Sequence, residues 1–173
     1  SLIEKTDGPV ADGVSRIESS LDSVETILGE VLEISSLDTG GLKPSPSVFR
    51  LDTLLDQIAT DFQPQASAKK LRLRIAKTSI SVETDRNLLR RLIQNLISNA
   101  VKYTRRGGVL VGVRRRGDRA EIQVLDSGIG MPGDKLNAVF GEFTRLEEGA
   151  REAPGLGLGL SIVDRIARGL RLD

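Results

Sequence analysis

NLISNAVKYT, residues 95–104, is the stretch whose reading decides the rest of this 173-residue chain. Upstream, Asp85 stands where an N-cap belongs, so residues 86–103 are predicted to form one helix. Leu88, Leu89, Leu92, Ile93, Leu96, Ile97 and Ala100 recur at helical spacing and predict one broad buried face. Asn95, Asn99 and Lys102 fall on a second stripe, at spacings of four and three. At about 100° per residue, that stripe lies roughly a quarter-turn from the apolar centre. Two carboxamides and an ammonium aligned beside a buried face suit a metal ion and phosphate oxygens, because amide oxygens are hard ligands and lysine is a point charge. A solvated helix side explains the same residues, and this helix alone leaves both readings open.

Composition narrows the function classes. Basic residues number 25 and acidic residues 24, so no global charge supports a nucleic-acid partner. Local basic runs remain at Lys69-Lys70 and Arg114-Arg115-Arg116, the second beside a turn and read as a solvated hairpin end. Histidine and cysteine are both absent, which removes imidazole bases, imidazole or thiolate metal sites, disulfides and any phosphohistidine within the chain. Aromatic residues make up 3%, so the core must be aliphatic and base-stacking platforms are not expected. No apolar run reaches membrane-spanning length and the polar start is no signal peptide, so no direct membrane contact is expected. The expected location is the cytoplasm, as a soluble protein or as the cytoplasmic part of a larger one.

Taken in order, the chain divides into three. Val14, Ile17, Leu21, Val24, Leu28 and Val31 alternate spacings of three and four, a heptad seam predicting a helix over residues 14–38 that packs on a partner helix. Residues 1–41 form this segment, and residues 42–48, with Pro44-Ser45-Pro46, form a stiff linker. Residues 49–173 form the main domain. Within it Leu51, Leu54, Leu55, Ile58 and Phe62 trace a helical face, with Pro64 expected to end or kink that helix. Leu71, Leu73 and Ile75 alternate with arginines as a half-buried strand, and a short strand is expected near residues 80–82. Val109–Val113 and Ala120–Leu125, joined at Gly117-Asp118, read as an antiparallel hairpin.

Two glycine clusters follow. Asp126-Ser-Gly-Ile-Gly-Met-Pro132 puts a carboxylate at a strand end, where it is rigidly held, and follows it with GxG, which lets backbone approach a ligand. A carboxylate accepts hydrogen bonds only, so Asp126 suits an exocyclic amino group such as that of adenine. A strand ending in an Asp-Gly turn explains one glycine and leaves the second cluster unexplained. Val139, Phe140 and Phe143 are expected to anchor a polar, mobile stretch, residues 144–154. Gly155-Leu-Gly-Leu-Gly-Leu160 then opens a helix carrying Ile162, Val163, Ile166, Ala167 and Leu170. Glycines at a helix N-terminus free amides to bind phosphate, and the helix dipole adds to the attraction. The spacing is not that of a Rossmann motif, and no Gly-Lys-Ser/Thr of a P-loop is present.

Asparagine stripe, strand-end Asp with GxG, phenylalanine loop and GxGxG before a helix: in this order the elements closely resemble the ATP-binding catalytic domain of sensor histidine kinases. That domain belongs to the superfamily shared with gyrase, heat-shock chaperone and mismatch-repair ATPases. The resemblance spans roughly residues 14–170, through the N box (95–104), the first glycine box (126–132), the F box (140–143) and the second glycine box (155–159). Leu28–Gly40 (LGEVLEISSLDTG) also looks like the second helix of the kinase dimerisation hairpin. The fold implied is an α/β two-layer sandwich, a mixed and mostly antiparallel sheet covered on one face by helices.

By position, the resemblance implies that Asn95 and Asn99 serve Mg²⁺ and the phosphates, with Lys102 on a phosphate and Arg145 facing the γ-phosphate. Tyr103 would flank the nucleotide, Asp126 would read its amino group, and Gly128, Ile129 and Gly130 would let the base pack closely. Phe143, Gly155, Leu156, Gly157, Leu158 and Gly159 would complete the lid and triphosphate cradle. The ATPase branches carry glutamate where this chain has Asn95; an amide cannot activate water as a base, which points to phosphoryl transfer and slow intrinsic hydrolysis. The implied partners are ATP, a second copy through the N-terminal helix, a histidine-bearing dimerisation domain and a response regulator or receiver domain. The family's phosphoacceptor histidine is absent, and related domains continue into further strands beyond the position of Asp173. Both departures suggest a fragment of a longer protein. A non-catalytic nucleotide-binding scaffold acting through its N-terminal helix is the alternative.

Overall fold

The computed structural model describes residues 43–136, 138–141, 143–144 and 156–172, together with Gly13, Val14, Ile17, Ser20, Leu21, Val24, Leu28 and Gly29. Those early residues are helical, and Val14, Ile17, Leu21, Val24 and Leu28 all stand exposed, as the seam requires. The remainder of the predicted helix over 14–38, its glycine stop and the stretch 145–154 lie outside the described residues.

The sequence reading has no strand at the start of the main domain. β1 (Ser47–Arg50) pairs antiparallel with β3 (Ser81–Thr84), placing Phe49 opposite Val82. Its first two residues, Ser47 and Val48, fall in the expected linker, and a strand of four residues with Val48 72% exposed leaves little apolar pattern to read. The linker itself is docked: the Ser45 N–H donates to Asp85 Oδ2 at 2.8 Å.

Helix α1 (Leu51–Ala68) buries Leu51, Leu54, Leu55, Ile58 and Ala66. Of the two expectations for Pro64, an end to the helix is not what the structure has: the helix runs on through it to Ala68. Pro64 removes one donor, but the following turn is secured at its end. Leu71 N–H donates to Ala66 O at 2.9 Å and Lys70 N–H to Ser67 O at 2.9 Å, with Lys70 in the left-handed conformation at φ 57°. Buried Ala66 gives that last turn a packing anchor.

The strand containing Leu73 and Ile75, β2 (Arg72–Ile75), lies parallel to β4 (Gly108–Arg116), which forms the expected antiparallel hairpin with β5 (Arg119–Asp126). The fold class is the one expected, but the strands form two open sheets, β1-β3 and β2-β4-β5. Alternation on β4 shows which face carries the helices: Val109 and Val111 are buried while Leu110 is 41% exposed.

Helix α2 (Arg86–Tyr103) has the bounds its pattern predicts, and Asp85 caps it by accepting from the Asn87 and Leu88 amides at 2.9 and 3.0 Å. It lies parallel to α1, since Arg86 bonds Gln57 and Arg90 pairs with Asp61, each a turn further along both helices. Leu89, Leu92, Ile93, Ile97, Ala100 and Val101 enter the core, where they meet the α1 leucines and Leu158, Ile162, Val163 and Ile166. The last three belong to α3 (Gly159–Leu170), which ends on Arg171 in the left-handed conformation. Among the described residues no helix is long and apolar enough to cross a membrane.

Candidate functional site

A cavity of about 850 Å³ opens between α2, the end of β5, the turn after it and the start of α3. Ligand pockets commonly fall at about 300–1,000 Å³, so it has room for a nucleotide-sized molecule. Asn99 and Tyr103 reach it from α2, Asp126 from the last position of β5, Ile129 and Gly130 from the turn, and Gly157 and Gly159 from the second glycine cluster. Residues separated by up to sixty positions along the chain thus share one wall system, as the family resemblance implies.

Asn95, one turn before Asn99 on α2, does not line the cavity but stands beside Gly159, which does. Its Nδ2 donates to Arg91 O at 3.0 Å, and its Oδ1 faces Gly159. A Cβ built on Gly159 would stand 3.2 Å from Asn95 Oδ1, pressing that carboxamide back by a few tenths of an ångström, and at an ordinary 3.5 Å from Asn99 Nδ2. No side chain caps α3 at its N-cap, Leu158. The N-terminus of that helix, which begins at Gly159 beside the two asparagines, thus has no side-chain cap, an arrangement suited to an anion.

At the other end Asp126 is organised by backbone. Its Oδ1 accepts from Gly128 N at 2.8 Å, and Ile129 N donates to Tyr103 O at 3.3 Å, tying the turn to the end of α2. Ser127 Oγ accepts from Gly108 N at 3.0 Å and donates to Arg106 O at 3.1 Å, so the loop after α2 is stitched to the same turn. Gly130 and Gly157 have φ of 70° and 77°, a conformation that favours glycine.

Several expected residues are placed differently. Gly128 does not line the cavity: a Cβ there would lie 2.6 Å from Tyr103 O and 2.7 Å from Asp126 Oδ1, so the glycine is needed for packing against α2. Lys102 is not on the wall either; its Nζ sits 5.5 Å from the Tyr103 ring centroid. Phe143 is 64% exposed at φ 56° and Phe140 is 44% exposed, so Val139, buried at 6%, is the anchor of this segment. Leu158 is core and Leu156 packs against the core, neither offering its side chain to the cavity. Arg145 and Gly155 lie outside the described residues.

The wall also includes Leu96, Ala100, Arg105, Val124, Met131, Pro132, Val139, Thr144 and Leu160, none of which the sequence reading assigned to the site. Leu96, Asn99, Ala100 and Tyr103 share one side of α2 at spacings of three and four, so extending the stripe from Asn99 would have found them. Thr104 is fully buried, and its Oγ1 has no hydrogen-bond partner among the described residues.

The donor set bears on the metal. Among the described residues no group of three His, Cys, Asp or Glu side chains could hold a cation. The carboxamide oxygens of Asn95 and Asn99 are hard donors of the kind that suits a magnesium ion.

A family profile described as "Histidine kinase-, DNA gyrase B-, and HSP90-like ATPase" matches residues 84–172, from the cap of α2 to the end of α3. The sensor protein GacS of Pseudomonas syringae pv. syringae is 32% identical over 164 residues, 90% of this chain and 18% of GacS. The aerobic respiration control sensor protein ArcB of Escherichia coli K12 is 40% identical over 115 residues, 63% of this chain and 15% of ArcB. Among solved structures, full-length ShkA in complex with AMPPNP superposes with a TM-score of 0.78 at 27% identity, covering 92% of this chain and 34% of that one. The chain thus spans about a fifth of the length of the curated sensor kinases it matches.

Proposed function

The chain belongs to the histidine kinase-, DNA gyrase B- and HSP90-like ATPase family, and we propose that it binds Mg·ATP for transfer of the γ-phosphoryl group to a histidine elsewhere in a longer sensor kinase. The observation that supports this most is the cavity wall: the Asn99 turn of α2, a strand-end carboxylate and two glycine clusters meet around one space.

Asp126 accepts a hydrogen bond from an amino group on the base, held in place by the Gly128 amide. Leu96, Ala100, Val124 and Ile129 supply apolar contact to the ring, and Tyr103 flanks it. At the far end Asn95, Asn99 and the α3 amides hold the phosphates; Lys102 serves as a cation of the reaction once its side chain swings from the Tyr103 ring toward a phosphate, and Arg145 is the second cation. Asn95 and Asn99 would hold Mg²⁺, which when bound would supply charge neutralisation on the phosphate oxygens while the γ-phosphoryl passes to the histidine and ADP leaves. Asn95 supplies no general base for water, which favours transfer over hydrolysis. The apolar seam from Val14 to Leu28 fits a second copy of the chain, in the cytoplasm, beside the histidine-bearing hairpin and within reach of a response regulator.

Labelled ATP mixed with this chain and the histidine-bearing hairpin of its parent protein tests the reading. Acid-labile label on the hairpin, lost with Asn95→Ala, is expected. Rapid phosphate release without label transfer would overturn it.

A further inference from the structure

We infer that Lys69 is a positioning residue for the nucleotide site, acting through the C-terminus of α2; the inference rests on the nucleotide reading above. α2 ends without a glycine finish: Thr104 is extended, at φ −98° and ψ 121°. Its last carbonyls are satisfied from outside the helix. Lys69 Nζ donates to Val101 O at 3.0 Å and to Lys102 O at 2.7 Å, and Ile129 N donates to Tyr103 O. A cation at this end also opposes the negative pole of the helix dipole.

Lys69 is itself held. It is the C-cap of α1, with its N–H on Gln65 O, and the left-handed Lys70 turns the chain away immediately after it. The side chain therefore reaches from a finished helix to the carbonyls of Val101 and Lys102, the two residues just before Tyr103 on the cavity wall. In the sequence Lys69-Lys70 is an unremarkable basic pair; in the fold only its first member bridges two parallel helices. Removing the ammonium leaves two carbonyls unpaired beside the Tyr103 wall and loosens the last turn of α2.

Tyr103 is the only tyrosine and the chain has no tryptophan, so intrinsic fluorescence reports this turn alone. The test uses the full chain with Lys69→Met, which keeps the stem and removes the charge, and Lys69→Arg, which restores a cation. In nucleotide-free protein, Lys69→Met should raise acrylamide quenching of Tyr103 about twofold, and Lys69→Arg should bring it back. Affinity for AMPPNP should fall about 5- to 10-fold in Lys69→Met, the scale of a charge-assisted bond partly screened by water, with recovery in the arginine variant. Titrations run well below each variant's melting temperature separate this effect from a loss of folded protein. Quenching and affinity both unchanged in folded Lys69→Met would overturn the inference. Should the unaltered chain bind no nucleotide, the reading of the site fails, while the quenching comparison still decides whether Lys69 positions Tyr103.

Discussion

Gly128→Ala tests how the glycine turn meets α2. The added Cβ would lie 2.6 Å from Tyr103 O, 2.7 Å from Asp126 Oδ1 and 3.1 Å from Thr104 Oγ1. Ordinary contact begins near about 3.5 Å, so turn and helix must part by roughly 0.9 Å. Tyr103 O is backbone and cannot rotate away. Overpacking of this kind costs about 1–3 kcal/mol. Parting the elements also breaks the Ile129 N–Tyr103 O bond, already 3.3 Å long, for about 1 kcal/mol more. Reduced freedom of the unfolded chain returns about 0.4–1 kcal/mol. The net loss should be about 2–3 kcal/mol, a fall in Tm of about 5–10 °C. Two neighbours serve as controls. Gly130→Ala meets nothing within 4 Å but carries φ of 70°, so it should cost about 1 kcal/mol. Gly133→Ala has open space and ordinary φ and should be near neutral. Urea denaturation of all three decides the order. Gly128→Ala as stable as Gly133→Ala would refute the close approach of turn and helix.

Three further outcomes follow from particular groups. Burial pushes the Asp85 carboxyl up, but the Leu88, Ser45 and Asn87 amides outweigh it and hold the group below its ordinary range. Asp85→Ala should therefore cost about 0.5–2 kcal/mol at neutral pH. Because the folded pKa is the lower one, that stabilisation is present above the unfolded value of about 3.9 and lost as pH falls through the folded value; the gap between variant and parent in urea midpoints should close there. Thr104→Val removes a buried hydroxyl that has no partner among the described residues, and should raise stability by about 1 kcal/mol in thermal melts. Pro64→Ala restores a donor inside α1, and should raise stability by about 1–3 kcal/mol, the scale of a mid-helix proline penalty.

The sequence made the helices legible because they depend on local signals, whereas the meeting of the boxes around one site was implied only by the family resemblance. Asp85 as a cap and the apolar stripe of α2 fixed that helix to its observed ends. The hairpin at Gly117-Asp118 was equally clear, since Gly117 adopts φ of 63° in a two-residue turn. What stayed hidden depended on distant partners. β1 is a strand only because β3 lies beside it, and α1 survives Pro64 because Ala66 finds a buried seat. Gly128 looked like a ligand-facing glycine, and its true constraint, the Tyr103 carbonyl, is invisible without the fold. The Phe140 and Phe143 pair misled for a related reason: aromatic type suggests anchoring, but the smaller Val139 occupies the buried position.

The central claim is that the cavity walled by Asn99, Tyr103, Asp126 and Gly159 takes Mg·ATP. Calorimetric titration of the whole chain with AMPPNP, with and without Mg²⁺, tests it most directly, with Asp126→Asn measured alongside. The account predicts saturable one-to-one binding, tightened by Mg²⁺ and weakened about 10-fold or more by Asp126→Asn, the scale of a charge-assisted hydrogen bond. A folded chain that takes up no AMPPNP, or that binds it equally well with Asp126→Asn, would contradict the account.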